Sequence, residues 1–429
     1  MLPFWDVNNT RTDLTNLWND LYSKNLYKDM WFMYNGKPFI MAMKSAAPND
    51  TIRNFFEFRQ GEPSYFVTGK QANGKWGWLS SYPQAAYKKA NGDIEQVSVG
   101  VAQNACYDSN QLCAMNGRNI MGRSYAKGDY SYSYTYNGKK ITVNSTIANS
   151  KLYGRNFQQQ FDYARSLNPE VIFITGWNEW IAGRFETWQG TRNAFPDEYN
   201  DEYSRDIEPS SGDLKDNYYY QLVDNVRKYK GTGSTLINSY HKTINSISDF
   251  NDKNISTYKH YVGLKNRNSK QWGGSGTVYT NNSARNDIVE AKLTYDESNL
   301  YFYVKCNGNI TPYTGDRWMY LLIDTGPSSK HYQEFEYIVN KSKGTESKLK
   351  LEKFTGGWNG SLVGEVDYKV SGKEMMITIP RKMLGFTSEK ISLNFKWTDN
   401  TLKNGNFMSI YTDGDAAPGG RFKFNFNNE

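Results

Sequence analysis

The stretch VIFITGWNEWIAGRFE, Val171–Glu186, decides how the first half of this chain is read. Its first seven residues are an almost unbroken apolar run, the pattern of a parallel strand covered by helices on both faces. Asn178 and Glu179 follow at the C-terminal tip of that strand, between Trp177 and Trp180. Around it, apolar runs at Leu2–Trp5, Pro38–Met43, Trp76–Leu79 and Val97–Gln103 alternate with amphipathic stretches at Asp13–Tyr22, Asn156–Ser166 and Asn217–Tyr229. Strands alternating with helices predict βα units, closed into an α/β barrel or laid out as a doubly wound sheet.

The pattern changes after Gly231, at a polar junction over 232–239. Beyond it, period-two runs appear at Ala291–Tyr295, Leu300–Cys306, Met319–Ile323, Glu336–Asn340, Glu365–Val370, Met375–Pro380, Ile391–Trp397 and Arg421–Phe426. Many short strands without intervening helices predict an all-β sandwich. The expected organisation is multidomain: an α/β, TIM-barrel-like domain over 1–231 and a β-sandwich over 240–429.

Composition narrows the function. The 429 residues have a mean hydropathy of −0.76, and no window approaches 18 consecutive apolar residues, so no membrane span is expected. The opening MLPFWDVNNTRTD has neither a basic n-region nor an apolar h-region, so a signal peptide is not expected in this chain. The net charge of +7 arises from interspersed residues. Its densest cluster, Arg227-Lys228-Tyr229-Lys230, ends a helix-like stretch where cations favour the helix dipole, which argues against nucleic acid as a partner. Three cysteines and three histidines do not form a zinc site of usual spacing, and no histidine accompanies a nucleophile motif. Cys106 and Cys113 either close a small loop or remain free thiols. Hydrolytic chemistry in this chain must rest on carboxylates.

Glu179 is the first candidate. Flanking indoles would raise its pKa towards that of a general acid and could stack on sugar rings. The alternative is a strand-end Glu that caps a following helix or pairs with Arg184. Phe195–Gly212 then holds Asp197, Glu198, Asp201, Glu202, Asp206 and Glu208 with Arg205 as its one basic residue. Such a run reads as a solvated loop or a helix start, with calcium binding as a lesser alternative. Glu208 stands apart because Ile207 and Pro209 fix its direction. Other strand ends supply Asp6 and Asn8, Arg59, Trp78, and Gln103 with Asn104, a polar and aromatic set suited to lining a carbohydrate cleft. The alternating YSYSYTY, Tyr130–Tyr136, fits an exposed hairpin or a sugar-stacking edge.

Trp177-Asn178-Glu179-Trp180 followed by Ile207-Glu208-Pro209 resembles the glycan-active (β/α)8 barrels of glycoside hydrolase family 99. The resemblance implies that Glu179 is the first catalytic carboxylate and that Glu208 matches the Glu of Ile-Glu-Pro. The family's second catalytic Glu falls at Ala182 here, which leaves Glu186, Glu208 or an acid within 197–206 as the replacement. A complete barrel needs about 250 residues, and only about five strands are visible before 231, so the first three βα units are expected to be missing. AKLTYDESNLYFYVK (Ala291–Lys305), WMYLLIDT (Trp318–Thr325), LEKFTGGWN (Leu351–Asn359) and YTDGDAAPGGRFKF (Tyr411–Phe424) resemble carbohydrate-binding module family 9. That likeness implies aromatic sugar clamps, for which Trp318, Trp358 and Trp397 are candidates, and Asp324 and Asp413 as structural ligands or turn formers. It also makes a fold-supporting calcium possible, with no cofactor required. The resulting expectation is a glycoside hydrolase-like protein whose partner is a polysaccharide or glycan, extracellular or at the cell surface in its full-length form. A non-catalytic glycan-binding protein is the second reading, and an adhesive surface protein the third. Oligomeric state is unknown from sequence.

Overall fold

The computed structural model describes residues 7–136, 139–179, 183–210, 212–233, 236–261, 267–270, 278–281, 285–313, 315, 317–326 and 328–428. Asp6, Trp180, Ala182 and the expected strand Leu2–Trp5 lie outside them. Contacts divide the chain into one unit of residues 1–135 and 140–232 and another of 136–139 and 233–429.

The expected α/β barrel is overturned. Strand residues outnumber helical ones, 35% against 19%, and among the described residues no barrel-like alternation of strand and helix is formed. The described strands of the first unit fall into separate small sheets. In one, Lys37–Met41, Glu57–Glu62 and Lys75–Gly77 run parallel, with Met33–Tyr34 antiparallel at one edge. In another, Val171–Thr175 pairs in parallel with Ile94–Gly100, which pairs antiparallel with Ala86–Lys88. Val171–Thr175 is the edge strand of that sheet and is only half-buried along its length. Its apolar character still has a structural cause. Ile172 and Ile174 pack on a core with Val97, Val99 and Phe161, while Val171 and Phe173 pack on Trp76 and Tyr87.

The helix Arg155–Ser166 covers Ile94–Gly100 with Phe157, Phe161 and Ala164, the i, i+4, i+7 spacing of one helix face. Its other buried side chains are Arg155 and the amides of Asn156, Gln158, Gln159 and Gln160, which would be costly to leave unpaired. Gln160 donates to the Ser80 carbonyl and accepts from the Gly100 N–H (3.1 and 2.8 Å). Asn156 donates to Val101 O and Gln103 Oε1 (2.9 and 3.0 Å). The helix thereby fixes the C-terminal end of the Ile94–Gly100 strand. Cys106 and Cys113 are joined by a disulfide.

In the second unit one antiparallel sheet runs from Ser256–Lys259 through Ile288–Tyr295, Asn299–Cys306, Glu374–Pro380, Asn359–Ser371, Lys348–Gly356, Tyr337–Val339 and Tyr320–Asp324 to Ser392–Asp399 and its neighbours. The sheet folds over on itself. Tyr258, on the first strand, contacts Phe395 and Phe424 near the far end (5.2 and 5.0 Å between centroids). Leu321 and Ile323 face the core so enclosed, whereas Tyr320 and Leu322 face a second core with Phe354 and Phe407. Period-two patterning thus serves both faces of a central strand. The expected two-sheet sandwich is replaced by this single continuous sheet.

Candidate functional site

A small recess, with about 20 Å3 of space in its interior, lies beyond the C-terminal ends of the parallel strands Ile94–Gly100 and Val171–Thr175. Trp78, Leu79, Ala102, Thr175, Gly176, Glu179, Arg205 and Asp206 line it. The segment 205–208 is laid against the strand end by backbone bonds. The Ile207 N–H donates to the carbonyls of Gly176 and Trp177, both at 3.1 Å, and the Glu208 N–H to Trp177 O at 2.9 Å. Gly176 permits this approach: its φ is +84°, and a Cβ there would stand 2.0 Å from the Arg205 carbonyl oxygen.

This close approach brings two carboxylates together. The Glu179 N–H donates to Asp206 Oδ1 at 2.6 Å. The Glu179 side chain is 60% exposed, and its Oε2 lies 3.5 Å from the Arg205 guanidinium. Arg205 is itself buried and ion-paired with buried Asp197. Asp206 is 2% exposed. Burial pushes its carboxyl above the usual aspartate value, and the Glu179 charge adds to the shift. The Glu179 N–H and the Arg123 and Arg205 cations oppose it without cancelling it. Arg123, fully buried, donates to Ser204 Oγ and Asp206 O (3.0 and 2.6 Å) with its guanidinium 4.1 Å from the Tyr218 ring centroid. Tyr65 stands against Trp78, edge to face at 6.0 Å. Burial raises its hydroxyl, opposed by Arg205 and assisted by Glu179.

Among the described residues, Trp78 Nε1, Gln103 Nε2, Asn104 Oδ1 and Arg205 Nε are buried without a hydrogen-bond partner. Unpaired buried polar atoms of this kind are rare in folded proteins and call for an explanation such as a ligand or bound water.

Several sequence expectations are corrected. The run 195–212 is not a solvated loop: Asp197, Arg205 and Asp206 are buried, and half-buried Glu202 accepts from Ser124 N and Oγ (2.8 and 2.7 Å). Burial also raises the carboxyls of Glu202 and Glu198. Arg184 hydrogen-bonds Asn193, and Glu179 pairs with Arg205 instead. Glu186 is exposed on the hairpin Phe185–Trp188/Thr191–Ala194, and neither it nor half-buried Glu208 lines the recess. Asn8 sits exposed in the helix Val7–Leu17 rather than after a strand. Arg59 is bidentate on buried Glu95 (3.0 and 2.7 Å). Burial raises the Glu95 carboxyl, but hydrogen bonds from Arg59, Trp76 and Tyr34 outweigh it and hold it low. Glu95 is five residues before Gly100, roughly 17 Å down the strand from the recess. Arg59 is therefore part of the core. Trp177 and Asn178 are exposed beside Glu179, and Gln103 and Asn104 are buried behind the strand end.

In the second unit Trp318 and Trp397 are 1% and 0% exposed and belong to the core, so neither can clamp a sugar. Trp358 is half-buried among Tyr320, Tyr332 and Phe354. Asp324 caps a turn through the Gly326 N–H (3.0 Å) and pairs with Lys423 (2.7 Å). Asp413 lies 4.0 Å from Arg317. Among the described residues no group of three or more His, Cys, Asp or Glu side chains is placed to hold a metal ion, and no helix is long and apolar enough to cross a membrane.

Sequence reasoning places Asp197 and Asp206 only among the candidate acids of 197–206 and does not single out Arg205 or Tyr65 as site residues. The one signal available was a lone basic residue, Arg205, directly before Asp206 in an acid-rich run, an arrangement that pairs well when buried. Searches of protein-family models, curated proteins and solved structures return no match to this chain.

Proposed function

We propose that this chain acts on glycans, and that its first unit hydrolyses a glycosidic bond at the recess shared by Asp206 and Glu179. The observation that carries the reading is that two adjacent carboxylates occupy opposite environments. One is buried and holds its proton to higher pH; the other is exposed and paired with a cation. A buried carboxyl that holds its proton to higher pH is suited to act as a general acid. Asp206 gives its proton to the glycosidic oxygen as the bond to the anomeric carbon breaks. Glu179 takes a proton from the water that adds to that carbon. Trp78 lines the recess and provides an apolar face for a sugar ring, with Glu179, Arg205 and Asp206 as the polar side chains beside it.

The likeness of Trp177–Trp180 and Ile207–Pro209 to glycoside hydrolase family 99 supports this reading, as does the likeness of the second half to carbohydrate-binding module family 9. The Cys106–Cys113 disulfide supports an extracellular or cell-surface setting, where such bonds persist. The test is release of new reducing ends from a panel of neutral polysaccharides. Wild-type chain should release them from at least one, and Asp206→Asn should reduce the rate by about 100-fold or more. A folded wild-type chain inactive on the whole panel, or an Asp206→Asn variant as active as wild type, counts against the reading.

A further inference from the structure

The strand Asn359–Ser371 continues past the core it helps to build. Val366, Tyr368 and Val370 share one face by the period of two. Val366 is 1% exposed, Tyr368 is half-buried, and Val370 is 39% exposed. The core-facing side of the strand therefore runs out into a groove of about 1440 Å3, including its open mouth. The turn Ile247–Asn251, the residues Ile310 to Tyr313 with Trp318, and Glu346 complete its walls, all within the second unit.

Three aromatic rings make its base. Tyr313 meets Trp318 edge to face at 5.2 Å, and Tyr368 lies 6.2 Å from Tyr313 and 6.0 Å from Trp318. Trp318 is fixed by its indole N–H, which donates to Thr311 O at 2.9 Å. Tyr313 is fixed by its hydroxyl, which donates to Asn340 Oδ1 (3.2 Å) and accepts from the Gly344 N–H (2.7 Å). The Tyr313 ring is thus held in place before any ligand arrives, with the Tyr368 ring set beside it. Around them stand hydroxyls and amides of Ser246, Ser248 and Asn251. Glu346 is exposed, and among the described residues its carboxylate has no partner. Glu374 is already bound by the Tyr303 hydroxyl at 2.6 Å.

Aromatic faces beside the Glu346 carboxylate and a rim of hydroxyl and amide groups, of which Ser246 and Ser248 bond each other at 2.9 Å, suit a ligand that is flat and apolar on one side and rich in hydroxyl groups at its edges. We infer that this groove holds a stretch of neutral oligosaccharide, stacked on Tyr368 and Tyr313 and hydrogen-bonded by Glu346. The inference rests on the glycan reading above but concerns a different site. It assigns the binding of the second unit to tyrosines rather than to Trp318 or Trp397.

The experiment is titration of the full chain with soluble neutral polysaccharides, followed by calorimetry and by tryptophan emission, since Trp318 touches both tyrosines. Wild-type chain should bind at least one of them. Glu346→Ala, at an exposed position, should weaken that binding about tenfold or more with unchanged thermal unfolding, and Tyr368→Ala, whose ring packs against Trp318, should weaken it as much in a chain that is still folded at the assay temperature. Asp206→Asn should bind as wild type does, which separates the groove from the recess: loss of hydrolysis with retained binding leaves the groove assignment standing. Binding unchanged in both groove variants overturns it, and so does a wild-type chain that binds none of the polysaccharides.

Discussion

The main-chain N–H of Glu179 donates to Oδ1 of Asp206 at 2.6 Å, so the tip of the strand Val171–Thr175 and the acidic segment that follows are one structure. Glu179 supplies a charge that raises Asp206 and an N–H that lowers it, and burial decides the direction.

That arrangement depends on Gly176. An added methyl would meet the Arg205 carbonyl, and a positive φ alone costs a non-glycine residue about 1–3 kcal/mol. Gly176→Ala should therefore destabilise the first unit by more than about 2 kcal/mol in denaturant unfolding and abolish any hydrolysis. Gly190→Ala is the control. Gly190 has a similar φ of +77° but nothing within 4 Å of its added Cβ, so only the backbone cost should appear.

The second unit should lose stability as pH rises from about 4.5 to about 7. Burial, with Asp324 beside it, pushes the Glu336 carboxyl from 4.5 up to about 7, although the Thr325 N–H and Lys423 favour its charged form. In that interval the unfolded chain has lost the proton and the folded chain still holds it. Folding is then progressively disfavoured until the folded group also ionises. Glu336→Gln should flatten this part of the curve when the unfolding midpoint is followed against pH. A slope unchanged in that variant would remove Glu336 from the account.

Trp318→Ala and Trp397→Ala should act on stability before they act on binding. Emptying a fully buried indole site costs about 3–5 kcal/mol. Trp358, half-buried, should cost less in the same unfolding assay.

Reduction of the Cys106–Cys113 disulfide should destabilise the first unit by about 2 kcal/mol, as expected for a loop this short. Unfolding with and without a reductant measures it.

Much of the second unit is legible in the sequence because antiparallel strands with distinct faces alternate visibly. The strands Tyr320–Asp324, buried on both faces, and Lys348–Gly356 are among the exceptions. A register shift between Leu351 and Glu352 buries both residues and breaks the alternation. The first unit was harder to read for a different reason. Val171–Thr175 is apolar on both faces because each face meets a core, but apolar faces do not report whether each lateral edge has a neighbouring strand. One edge here has none among the described strands, and the inferred barrel fails at that point. The site was half legible. Glu179, Trp78 and the strand end were visible as residues at an apolar run's tip. Asp206 was hidden in a charge-rich run whose composition suggests solvent, while its burial depends on Arg205, Arg123 and the Gly176 approach, contacts remote in sequence.

The most direct measurement is a carbon-detected NMR titration of the Asp206 carboxyl in the full chain, with Glu179→Gln beside it. The substitution keeps the N–H that lowers Asp206 and removes the charge that raises it. The account expects Asp206 to titrate above the ordinary aspartate value of about 3.9 and to fall in the variant. An Asp206 that titrates at or below that value, or that is indifferent to Glu179→Gln, contradicts the pairing on which the proposed chemistry stands.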